Sequence, residues 1–121
     1  MSQRDTDKPV TAYKVLTAAE MQALEHEGSF AGSPVDVKDG FIHLSTADQL
    51  TETVDKHFSG QDELHIAAVD LEAQGETLKW EESRGGALFP HLYAPLRLDT
   101  VVAYSPLERD DQGQVRLPVT G

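Results

Sequence analysis

The sequence predicts a small single α+β domain, with two or three helices packed on a mixed or antiparallel (split) sheet. Three observations carry this reading. Two helix-start signatures, Thr17 with Glu20 and Thr46 with Gln49, each open a run with apolar residues at helical spacing. Strand-like apolar runs recur at residues 41–44, 63–71, 77–82 and 98–105. A chain of 121 residues, 39 % of them hydrophobic, has material for one core and not for two. The resulting order of strand, helix, strand, helix, two strands, loop and strand belongs to the α+β class.

Residues 1–12 mix Asp, Lys, Ser and Pro without periodicity and read as a flexible segment, leaving 13–108 as the domain and 109–121 as a tail or edge strand. Residues 13–16 form the first short strand. The box at Thr17 and Glu20 then opens a helix that ends near Gly28 and turns Met21 and Leu24 to the core. In the second helix Ala47, Leu50, Val54 and Phe58 recur at spacings of three and four, and Ser59-Gly60 ends the run. Its Asp48, Glu52 and Asp55 read as a solvated face. Along 63–71, Leu64, Ile66 and Ala68 mark one face and Ala67, Val69 and Leu71 the other, so both faces are buried and the strand is central. Residues 83–95, with two Gly, two Pro, an Arg, a His and two aromatics, are too irregular for a standard element.

Charge and composition exclude several classes of function. Ten basic against 21 acidic side chains give a formal net charge of -11, and the basic residues are scattered, so an extended nucleic acid is not an expected partner. A small anionic ligand remains compatible, because a local Arg, imidazoles and amide groups outweigh a field that salt screens within about 10 Å. No apolar run is long enough to span a membrane or to act as a signal peptide, which makes a cytoplasmic protein the expectation. With no Cys there is no thiol nucleophile or thiolate site. His26, His43, His57, His65 and His91 show no metal-ligand spacing, so no metal is expected. The serines lie outside any nucleophile elbow.

Two stretches carry candidate chemistry. In Phe41-Ile42-His43-Leu44-Ser45 the alternation puts Phe41, His43 and Ser45 on one face and Ile42 and Leu44 on the other. His43 is then either a core imidazole satisfied by a carbonyl or a ligand-facing donor ahead of the Ser45-Thr46 helix start. The run from Trp80 to Tyr93 is the densest array of reactive groups. Arg84 beside Gly85 and Gly86 is either an exposed turn residue or a guanidinium ready to fork onto phosphate or carboxylate. His91, between Pro90 and Leu92-Tyr93, is either loop packing or a held ligand-binding side chain. Glu81 shares a face with Lys79, where it is either exposed or placed to meet a sugar hydroxyl or act as a base. Phe89 and Tyr93 either pack under the loop or flank a ring, and Trp80 reads as core.

With these two motifs, Gly40-Phe41-Ile42-His43-Leu44-Ser45 and Trp80-Glu81 through Ser83-Arg84-Gly85-Gly86 to Leu88-Phe89-Pro90-His91-Leu92-Tyr93, the chain resembles the domain-of-unknown-function 952 family of small bacterial proteins, over most of residues 13–107. That family is similar in fold to ADP-ribosyltransferases and to the NAD-consuming RNA 2'-phosphotransferases, an analogy of fold and not of site. The resemblance implies that His43 matches their ribose-binding histidine. In the typical His-Tyr-Glu pattern the tyrosine precedes the catalytic glutamate, whereas here Tyr93 follows Glu81, and the later Glu108 is the remaining glutamate near a strand end. Either the site is built differently, with Arg84 and His91 on the phosphates, or the fold persists without transfer.

The resulting expectation is an NAD-like nucleotide site, with NAD as the candidate substrate. His43, Glu81 and His91 form the catalytic set, and Ser45, Arg84, Phe89 and Tyr93 form the binding set. Ser45 joins His43 on a ribose, and Glu81 stabilises an oxocarbenium-like centre. The alternatives are a non-enzymatic module that captures an acidic small molecule or peptide carboxylate through the Arg84/His91 loop, and an assembly protein whose loop only folds back on the sheet.

Overall fold

The structure is a computed structural model that describes residues 9–118, the side chain of Arg84 apart. Residues 1–8 of the segment expected to be flexible lie outside the described residues, whereas Thr11 and Ala12 belong to the first strand and Ala12 is buried. The chain forms β1 (Thr11–Leu16), α1 (Ala18–Glu27), β2 (Ser29–Phe30), α2 (Pro34–Asp39), β3 (Ile42–His43), α3 (Ala47–His57), β4 (His65–Asp70), β5 (Leu78–Glu82), β6 (Leu88–Leu92), β7 (Leu96–Arg97) and β8 (Val101–Pro106). Short 3-10 turns occupy Glu72–Thr77, Arg84–Gly86 and Leu98–Thr100.

All strand pairings are antiparallel, in the orders β1-β4-β8, β2-β7 and β3-β6-β5. The sheet is split, and its halves meet where Tyr13 and Ser45 exchange two backbone hydrogen bonds of 2.7 and 2.9 Å. β4 is central in its ladder and buried on both faces, as its pattern predicts. One face joins Ala12, Leu16, Leu24, Ile42, Leu92 and Leu96 in a first core, and the other joins Tyr13, Val15, Leu50 and Val54 in a second. The helix starts form as read: Thr17 and Glu20 bond reciprocally, and the Gln49 side chain accepts from the Thr46 N–H.

Three expectations are corrected. Residues 83–95 contain β6, which pairs with β5 across Trp80 and Pro90 and with β3 across His43 and His91. A proline in a central strand is rare because it lacks the ladder donor; here its carbonyl still accepts from the Leu44 N–H at 3.1 Å. The region between β2 and β3 holds the unanticipated helix α2. The strand expected at 98–105 begins at Val101, after a 3-10 turn.

Beyond β8 the chain folds back onto α3. Arg109 bridges to Val115 and pairs with Asp55 at 2.8 Å, and the Val115 N–H donates to Thr51 Oγ1 at 2.9 Å. The Val115 side chain is buried in the second core.

Candidate functional site

The two sequence stretches converge. β3 and β6 pair so that His43 stands opposite His91, with ring centroids 5.7 Å apart. Phe41 stacks on His91 at 4.0 Å and contacts His43 at 4.6 Å. His43, Ser45, Phe89 and His91 line one cleft of about 750 Å³, walled by α3 through Gln49 and Thr53 and by α2 through Asp36 and Asp39. Ile42 and Leu44 point the other way, into the first core, as alternation along the segment requires.

Each histidine has a carboxylate at Nδ1. His91, buried, lies 2.7 Å from Glu81 Oε1, and the Tyr93 hydroxyl donates to that same oxygen at 2.7 Å. The pairing follows from register. Glu81 lies opposite Phe89 and Lys79 opposite His91, so Glu81 and His91 are diagonal neighbours on one face. The His91 hydrogen bond, followed by that of Tyr93, holds the Glu81 carboxyl below the usual carboxylate range, and Glu81 in turn raises the Tyr93 hydroxyl. Nε2 of His91 has no hydrogen-bond partner among the described residues. A buried imidazole oriented by a carboxylate, with its second nitrogen unengaged, is the arrangement of a proton acceptor.

His43 is held by residues that the sequence reading did not single out. Ser33 caps α2 with Pro34 as its first residue, and Asp36 Oδ2 accepts from the Ser33 N–H at 2.9 Å. The same oxygen accepts from Lys14 Nζ at 2.8 Å, while Oδ1 accepts from the His43 N–H at 3.1 Å and lies 2.6 Å from Nδ1. Asp36 is 1 % exposed and Lys14 is 5 % exposed. Burial raises the Asp36 carboxyl, but the His43 hydrogen bond, the Lys14 ammonium and the Ser33 amide outweigh it and hold the group far below its ordinary value. Gly32 lets α2 approach: its φ is +124°, and an added Cβ would stand 2.8 Å from that of Asp36. The string Ser33-Pro34-Val35-Asp36 is itself a capping-box pattern with proline at the first helical position, the signal that points to α2 and Asp36.

The remaining expected residues are placed as follows. Ser45 lines the cleft but is buried, its hydroxyl 2.8 Å from that of Thr53. Glu81 and Tyr93 do not line the cleft. Glu81 reaches it through His91, and Tyr93 borders a shallower hollow with Phe41 and Ile42. Arg84 falls in the 3-10 turn at the tip of the β5–β6 hairpin, where Gly85 and Gly86 adopt left-handed φ of 81° and 80°. Its side chain is outside the described residues. Among those residues no group of three His, Asp or Glu could hold a metal, and no helix is long and apolar enough to cross a membrane.

A split-sheet α+β domain with paired histidines in one cleft is thus the class that fold and site define. The chain belongs to the family described as protein of unknown function (DUF952), whose model matches residues 15–104. It is similar to protein CC0527 from Caulobacter crescentus. The X-ray structure of that protein is 49 % identical, covers 88 % of this chain and 93 % of its own, and superposes with a TM-score of 0.80. The solution NMR structure of the same protein is 50 % identical, covers 88 % and 91 % of the two chains, and gives a TM-score of 0.75. No curated protein matches the chain.

Proposed function

We propose that the cleft binds an NAD-like nucleotide through its ribose and that the chain is ADP-ribosyltransferase-like, with His91 exchanging a proton with a sugar hydroxyl. One observation supports this above the others: two imidazoles, register partners on adjacent strands, line a single cleft, each with a carboxylate at Nδ1. The volume of about 750 Å³ lies within the range of small-molecule sites.

The charges around the cleft fit the chemistry. Lys14 is engaged by Asp36, and Lys56 pairs with Glu52 at 3.0 Å, while Glu20 and Asp39 also line the cavity. Breaking the nicotinamide glycosidic bond develops positive charge on the sugar, which an acidic surround stabilises. Glu81 contributes through His91 as a positioning residue, and Phe89 supplies a face for a ring.

NAD added to the purified protein is expected to shift the ring signals of His43 and His91 in NMR spectra. Nicotinamide is expected to accumulate with the wild type and not with His91→Asn. NAD that moves neither ring overturns the reading. A binding module without turnover is the second reading, favoured by the position of Glu81 behind His91. NAD binding that persists in Glu81→Gln, with no nicotinamide released by either protein, assigns the chain to that class.

A further inference from the structure

His43 has a carboxylate at each ring nitrogen: Asp36 Oδ1 is 2.6 Å from Nδ1, and Asp39 Oδ2 is 3.0 Å from Nε2. The Asp36 contact is a hydrogen bond, whereas the Asp39 oxygen stands within ion-pairing distance of Nε2 without being a hydrogen bond. The two acids are held very differently. Asp36 is enclosed and accepts from Lys14, Ser33 and the His43 backbone in addition to the ring. Asp39 is 40 % exposed and touches His43 alone among the described polar contacts, a half-exposed ion pair of the kind that contributes little to stability. It is also the last residue of α2, where a negative charge opposes the helix dipole and a cation would suit it better. Both Asp39 and His43 line the cleft.

From this arrangement the geometry points to an oxyanion subsite at Nε2 of His43, with Asp39 as its built-in occupant: a ligand bearing a phosphate or carboxylate group binds there by displacing the Asp39 side chain. Asp36 and Lys14 cancel each other and stay in place, so the exchange swaps one anion for another beside the same ring. His91, with one carboxylate and an unengaged Nε2, remains the proton acceptor, and the two imidazoles divide their work between the anion and the proton. The inference rests on reading the cleft as a ligand site, but not on the ligand being NAD.

Long-range proton–nitrogen spectra of the histidine rings test it, with inorganic phosphate as the anionic probe and ribose as the neutral one, at mildly acidic pH and constant ionic strength. Phosphate is expected to shift the Nε2 signal of His43 in the wild type. Asp39→Ala should tighten phosphate binding by about threefold to tenfold, and Asp39→Asn by less because it keeps a neutral acceptor. Ribose binding should change less than phosphate binding in either substitution. Phosphate affinity that stays level or weakens in Asp39→Ala overturns the inference, as does phosphate that moves His43 in neither protein. A gain for phosphate in Asp39→Ala with no NAD effect on His91 keeps the subsite and rejects the nucleotide. An NAD effect on His91 with phosphate affinity that stays level in Asp39→Ala does the reverse.

Discussion

The Asp36–His43 and Glu81–His91 pairs have nearly equal lengths, 2.6 and 2.7 Å, and opposite environments. In the first the carboxylate is enclosed, with a buried lysine beside it, and the ring is part-exposed. In the second the ring is enclosed, and the carboxylate is 38 % exposed on a strand. The same two functional groups therefore serve different ends. The first pair ties β1, α2 and β3 together and belongs to the folding of the domain. The second sets the orientation of one ring.

Asp36→Asn attacks the first pair and carries the largest expected effect, a loss of about 3–5 kcal/mol in denaturant unfolding, because it leaves the Lys14 ammonium buried without its counter-charge. Adding Lys14→Met to that variant should recover part of the loss, which identifies the stranded charge as the cause. An Asp36→Asn protein as stable as the wild type would erase the distinction between the pairs.

The next effect is a pH dependence. The Asp36 carboxyl is lowered in the folded protein, so its stabilisation is complete above the unfolded carboxylate value of about 3.9 and is lost as the pH falls through the lower folded value. The stability difference between wild type and Asp36→Asn should therefore be flat near neutrality and shrink in acid. A difference that grows in acid would refute the sign. The smallest effect on stability is expected from Glu81→Gln, whose carboxylate is partly solvated. Its melting temperature should fall less than that of Asp36→Asn, while the His91 ring signals change in tautomer and line width.

Where local rules decided the structure, the sequence was readable. Capping boxes placed α1 and α3, and alternation sent Ile42 and Leu44 inward and His43 and Ser45 to the cleft. Where long-range pairing overrode local preference it was not. Pro90 argued against a strand, yet β6 is held from both sides by β3 and β5. Lys14 sits in an apolar strand whose sequence gives no sign of its partner 22 positions away, and Asp36 looked like one more acidic residue in an acidic chain. The convergence of the two histidines follows from a two-residue ladder between β3 and β6, a contact that no local pattern encodes.

The return of the chain over α3 has a mechanical consequence. Val115 and Arg109 grip that helix through Thr51 and Asp55, while Gln49 and Thr53 of the same helix face the cleft. Tail and cleft thus take opposite flanks of a single rod, so the grip of the tail bears on a wall of the cleft.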